Sequence, residues 1–162
     1  MATTTPLGSR RAPRHEPAVR TMLIPINTAC SAAPSDALEV ALRLAAERRA
    51  SIVLLLFTEI PLDEEMDSEI DGLGDDIARL TDEACAHARR YGLSLHTTHV
   101  RTRDPAALIL SQADRRHSQL ILLGANSLHP TRYRMPMQDP AARQIMAEAK
   151  QRVMILQPAK AA

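Results

Sequence analysis

The run Leu120-Ile-Leu-Leu-Gly-Ala-Asn-Ser-Leu-His-Pro-Thr-Arg-Tyr-Arg-Met-Pro-Met-Gln-Asp-Pro140 decides how the rest of the chain is read. A short apolar run ends in Gly124, and a long polar loop follows. Asp139-Pro140 then opens an amphipathic stretch in which Ala142, Ile145, Met146 and Ala149 recur at helical spacing. Aspartate as N-cap with proline at the first helical position marks a helix start. Strand, loop and helix start in this order form the corner at which α/β proteins cradle phosphates. Yet Gly124 is the only glycine in the loop. The stretch therefore points to a fold class and leaves three functions open: a working nucleotide loop, a rebuilt one, or a plain connection.

The same alternation extends in both directions. Downstream, Arg152 to Leu156 predicts a last strand, with a short tail from Pro158. Upstream, Asp104-Pro105 repeats the cap-plus-proline start, and Ala106, Ile109, Leu110 and Ala113 form the apolar face of that helix. Leu93 to Arg101 alternates with period two, which predicts a strand with His96 and His99 on opposite faces. Ile77, Leu80, Ala84, Ala88 and Tyr91 mark one face of a long helix, and Gly92 is its stop signal. Residues 60–76 hold eight carboxylates and no Lys or Arg, without calcium-loop spacing, and predict a solvated connection.

Ser51-Ile-Val-Leu-Leu-Leu-Phe57 is apolar throughout, as a strand covered on both faces must be. Ser35 and Asp36 start a helix whose inner face is Leu38, Ala41, Leu42 and Ala45, closed by Glu47-Arg-Arg49. Thr21 to Asn27 predicts the first strand. Pro25 within it marks a strand end or a locally unpaired position. The order β-α-β-α-β-α-β-α-β, with helices between successive strands, predicts an α/β fold. It is a single doubly wound, Rossmann-like sheet of five parallel strands with helices on both faces. Ligands of such sheets bind beyond the carboxyl ends of the strands, where strand order reverses.

The totals narrow the function. With 162 residues the chain is one domain: a basic tail over residues 1–20, the folded domain over 21–157, and a tail over 158–162. The tail carries four arginines against Glu16, a net +3, while the remaining 16 basic and 18 acidic residues sum to −2. A formal net charge of +1 and only Phe57, Tyr91 and Tyr133 as aromatics give nucleic acid neither a field nor stacking platforms. No apolar run suits membrane insertion, and Cys30 and Cys85 have neither disulfide-framework nor metal-ligand spacing. A cytoplasmic location is the expectation. No Gly-x-Ser-x-Gly elbow, Walker loop or His-Glu-x-x-His pair is present, so no enzyme chemistry and no catalytic residue or metal site is expected.

Met22-Leu-Ile-Pro-Ile-Asn27, Ala37-Leu-Glu-Val-Ala-Leu-Arg-Leu-Ala45 and Ile52 to Phe57 together resemble the opening of universal stress proteins. Asp104-Pro-Ala-Ala-Leu-Ile-Leu110, Leu120-Ile-Leu-Leu-Gly124 and Val153-Met-Ile-Leu156 resemble their second half. The resemblance implies strand order 3-2-1-4-5 and a homodimer through the Arg152–Leu156 strand. One branch of that family binds ATP, with an acidic residue ending the first strand and a loop of form G-x2-G-x9-G-[ST] after the fourth. Here the acidic position is Asn27 and the second glycine position is Ser127. The final pair falls on Met137-Gln138 or Asp139-Pro140, according to the end from which one counts. Glycines let backbone N–H groups reach phosphates, whereas Pro140 has no N–H and a capping Asp139 fills the helix end that a phosphate would use.

The resemblance therefore implies a non-enzymatic regulatory or stress-response protein with a degenerate site and no cofactor. The alternative keeps ATP or another adenine nucleotide, held by the side chains of His129, Arg132 and Arg134 in place of the glycine loop, with Arg143 one turn into the helix. The candidate nucleotide or anion pocket is Ile26, Asn27, Gly124, Asn126, Ser127, Arg132 and Arg134. A further resemblance links Glu59-Ile-Pro-Leu-Asp-Glu-Glu65 and Arg101-Thr-Arg-Asp-Pro105 to the stress-protein-type domains attached to bacterial amino-acid permeases. It implies a free-standing sensing module with a transporter or regulatory protein as partner.

Overall fold

A computed structural model describes residues 19–31, 33, 35–124, 127–129 and 136–156. The leader over residues 1–18, Asn126, Arg132, Arg134 and the tail over 157–162 lie outside the described residues. Five strands, β1 (Thr21–Asn27), β2 (Ser51–Glu59), β3 (Leu95–Thr102), β4 (Leu120–Gly124) and β5 (Arg152–Leu156), alternate with four helices. The helices are α1 (Ser35–Arg48), α2 (Leu73–Arg89), α3 (Pro105–Arg115) and α4 (Pro140–Glu148). All strand pairs are parallel, in the order β3-β2-β1-β4-β5. This is the doubly wound sheet that the pattern predicts.

Strand periodicity sorts the core into two layers. Met22, Ile24, Ile26, Ile52, Leu54 and Leu56 face α1 and α2, where Leu38, Ala41, Leu42, Leu80 and Ala84 meet them. Leu23, Val53, Leu55, Phe57, Ile121 and Leu123 face α3 and α4, where Ile109, Ala113, Ala142 and Ile145 meet them. With both faces covered, β1 and β2 contain no solvent-facing side and read as unbroken apolar runs.

Pro25 shapes the sheet. In β1 the odd-numbered backbone groups point toward β4: Thr21 O accepts from Gln119 N, and Asn27 N donates to Ser127 O. Pro25 falls at such a position and has no N–H to give. The ladder between β1 and β4 covers only Met22↔Leu120 and Leu23↔Ile121, whereas that between β1 and β2 runs through Pro25 to Asn27. The proline therefore stands at the locally unpaired position expected of it, and the β1–β4 seam opens toward the carboxyl ends of the strands.

The helix ends follow local chemistry. Asp104 Oδ1 accepts from Ala107 N at 3.0 Å, and Asp139 Oδ1 accepts from Ala141 N at 2.8 Å, each cap preceding a proline. Two boundaries shift from expectation. α2 begins at Leu73, not near Ile77, because Asp75 and Asp76 fall in its first turn, where the helix dipole favours them. β3 begins at Leu95, two residues later than the alternation suggests, after the turn at Tyr91 and Gly92.

Candidate functional site

At the carboxyl ends of β1 and β4 the chain closes on itself. Asn27 is buried, and each polar group of its side chain is used. Its Nδ2 donates to Leu128 O at 2.8 Å and its Oδ1 accepts from Ala29 N at 2.9 Å. Its backbone N donates to Ser127 O at 2.7 Å, and its O accepts from Cys30 N at 3.0 Å. Ser127, 1% exposed, turns its hydroxyl back to Gly124 O at 2.9 Å. The loop after β4 is thereby stitched across the seam that Pro25 leaves open. An aspartate at position 27 could not make the bond to Leu128 O, because a carboxylate only accepts. Asparagine at the acidic position of the resemblance thus has a structural reason.

Among the expected site residues, Asn27, Gly124 and Ser127 come together. Ile26 is fully buried in the α1/α2 core layer. Cys30 lies under the same closure, its Sγ 3.9 Å from Ser127 O, and burial pushes its thiol up to about 11 against the opposing pull of Arg79. No disulfide joins Cys30 and Cys85.

His129, which the alternative reading assigns to an anion, lies between two carboxylates. Its Nδ1 meets Asp139 Oδ2 at 2.6 Å and its Nε2 meets Glu59 Oε2 at 3.0 Å. Both ring nitrogens are thus engaged by carboxylates. Asp139 uses its other oxygen as the α4 cap. The end of β2, the loop after β4 and the start of α4 are therefore clasped through one imidazole between two carboxylates. An incoming phosphate would meet two negative groups here and, at Pro140, no N–H.

A second polar chain crosses the carboxyl ends of β1, β2 and β3. Thr28 Oγ1 lies 2.8 Å from Thr58 Oγ1, which lies 2.8 Å from His99 Nε2. Burial, with the nearby charge of Arg101, holds His99 below the ordinary imidazole range. Thr28, Thr58 and His99 thus form one hydrogen-bonded chain. The period-two pattern of β3 placed His99 on its face, but its partners are 41 and 71 positions away in sequence. Thr58 is buried, whereas His99 is half-buried and lines an open cavity together with Gly72, Leu73 and Arg101.

The acidic connection is tied down from β3. Arg101 donates to Met66 O and to Ser68 O at 3.2 and 2.6 Å, and Arg103 donates to Glu64 O at 2.6 Å. The arginines hold backbone carbonyls and leave the carboxylates outward. Among the described residues no three His, Cys, Asp or Glu side chains converge as metal ligands. No described helix is long and apolar enough to cross a membrane.

A five-stranded parallel sheet in this order, opened at β1 and β4, is the setting in which to weigh similarity to known proteins. The sequence profile of the universal stress protein family matches residues 18–157. The chain belongs to that family. A universal stress protein family member from Burkholderia pseudomallei superposes with a TM-score of 0.64 at 20% identity, over 87% of this chain and 98% of that one. One from Archaeoglobus fulgidus in complex with dAMP gives 0.63 at 14% identity, over 85% and 98%. A universal stress protein in complex with cAMP gives 0.62 at 16% identity, over 86% and 98%. At these identities the likeness speaks for the fold. No curated protein sequence matches the chain significantly.

Proposed function

We propose that this universal stress protein is a non-enzymatic regulatory module that does not bind ATP in the usual way. One observation carries the reading: the start of α4 is filled by the chain's own Asp139, clasped by His129, with Pro140 in the first turn. Backbone amides that cradle a triphosphate elsewhere are here capped or missing. Asn27 and Ser127 spend their polar groups on one another's loops, which leaves few groups for a ribose or a base. Calorimetric titration with Mg-ATP tests the proposal. No saturable heat at micromolar concentrations is expected; saturable micromolar binding would overturn it.

A second reading is favoured by the cAMP and dAMP complexes of the similar structures. A nucleoside monophosphate makes fewer demands on the loop than a triphosphate. Saturable binding of AMP or cAMP, with Mg-ATP silent, would establish this reading in place of a nucleotide-free module. For partners, the half-buried apolar residues of β5 at the sheet edge support a homodimer, and the outward carboxylates of residues 63–71 support a regulatory or transporter protein.

A further inference from the structure

Parallel strands send every helix back the same way, so α1, α2 and α3 all end at the amino side of the sheet. Each ends in a pair of exposed arginines, Arg48-Arg49, Arg89-Arg90 and Arg115-Arg116. Arg48, Arg89 and Arg115 fall in last helical turns, where the helix dipole favours a cation. One cation at each helix end serves that purpose. Arg20, Arg49, Arg90, Arg116, Lys150 and Arg152 are additional, all exposed, at the helix ends and strand entries of the same side. Arg49 is held at φ 53°, a left-handed position that favours glycine, so this charge is kept against backbone strain. Against these nine cations, the last helical turns and the connections of this end bring only Glu47, Asp114 and Glu148. Asp114 lies 3.7 Å from Lys150. Among the described residues, none of the three arginine pairs meets a carboxylate.

The opposite end is charged the other way, since residues 60–76 hold eight carboxylates and no Lys or Arg. A formal net charge of +1 thus conceals a basic end and an acidic end. Such a dipole turns its basic end toward a negative surface. Val19 and Thr21 lie at the basic end, and the sequence joined to them includes Arg10, Arg11 and Arg14. The cations stand on the ends of helices and strands and not along one helix, the element that a duplex groove admits. Tyr91, the described aromatic of this end, is half-buried and bonded through its hydroxyl to Glu39, so bases find no stacking platform. An anionic bilayer asks only for clustered cations on an open face, and a guanidinium group pairs with its phosphates through two N–H groups at once. We propose that this end is a docking face for a membrane surface rich in anionic phospholipid. Binding is peripheral and electrostatic, and it is independent of the nucleotide question at the other end of the sheet.

Flotation of the full chain with vesicles of phosphatidylcholine alone, or with about 30% phosphatidylglycerol, tests the face. Binding is expected only with phosphatidylglycerol, and should fall at least about ten-fold between about 0.1 and 0.5 M salt. Arg115→Gln with Arg116→Gln should weaken binding about ten-fold while the melting temperature holds, since both side chains are exposed. Arg49→Gly should weaken it as well, in a chain made more stable by relief of strain. Asp67→Asn with Glu69→Gln changes the net charge by as much at the opposite end, and should leave binding within about two-fold. Equal flotation with neutral vesicles, no flotation at about 0.1 M salt, or no effect of the arginine substitutions overturns the proposal. So does a ten-fold rise, about equal and opposite, in Asp67→Asn with Glu69→Gln, which would make net charge and not the face decisive. A mixed-sequence DNA duplex that draws most of the protein off the vesicles at equal phosphate concentration overturns it too, by giving the face to nucleic acid.

Discussion

Asn27 shows how one atom separates a stitched seam from an open one. Asn27→Asp puts a carboxylate oxygen against Leu128 O in a buried setting, and should cost about 1–3 kcal/mol in urea unfolding at neutral pH. An unchanged midpoint would mean that the loop does not depend on this bond. His99 makes a pH-dependent contribution whose sign follows from its lowered folded-state value. Its ordinary value is about 6.5, so below that pH the unfolded chain takes up the proton more readily than the folded one. The contribution is complete above about pH 6.5 and is lost as pH falls from there through the folded-state value. Urea midpoints between about pH 7.5 and 5 should therefore fall less steeply in His99→Gln than in the unmodified chain. Parallel profiles would remove His99 from the account.

The helix ends set a second scale of energetics. α1 and α3 stop with Arg49 at φ 53° and His117 at φ 51°, left-handed positions that favour glycine. In both, the next N–H reaches back into the last turn, Ala50 N to Ala45 O and Ser118 N to Ala113 O. Arg49→Gly relieves the Cβ clash and keeps that bond, so it should stabilise the chain by about 1 kcal/mol, read as a raised urea midpoint. Asp139→Ala should cost about 1–2 kcal/mol by removing the α4 cap, and more if the clasp with His129 and Glu59 acts as a unit. These elements were legible in the sequence because their signals are local: Asp-Pro starts, uniformly apolar strands, one-faced helices. The start of α2 was less so, since Asp75 and Asp76 belong equally to an acidic run and to a first helical turn. The site was legible only in part. Asn27 and Ser127 stand out as departures from a motif, but the bond from Asn27 to Leu128 spans 101 positions and the clasp from Glu59 to His129 spans 70. Neither separation leaves any periodicity to read.

At the scale of the whole molecule, the sheet ends in two edges of different character. β3 carries His96, His99 and Arg101, which blunt pairing. β5 presents Val153, Met154, Ile155 and Leu156, each half-buried, on a strand bonded to β4 along its length and to no described strand beyond it. A homodimer through β5 is expected, and Ile155→Lys should shift it to monomer in sedimentation at roughly 50 µM without unfolding the protomer. A monomer before substitution would mean that another segment covers the edge. The closure over the seam also contains its own clock. Cys30, with its thiol pushed up to about 11, is inert while Ser127 lies over it and reacts only when the loop lifts. In a Cys85→Ala background, the rate at which an alkylating reagent consumes Cys30 would therefore time the spontaneous parting of β1 from the loop after β4. Any small molecule that enters the crevice would announce itself, without a label of its own, by changing that rate.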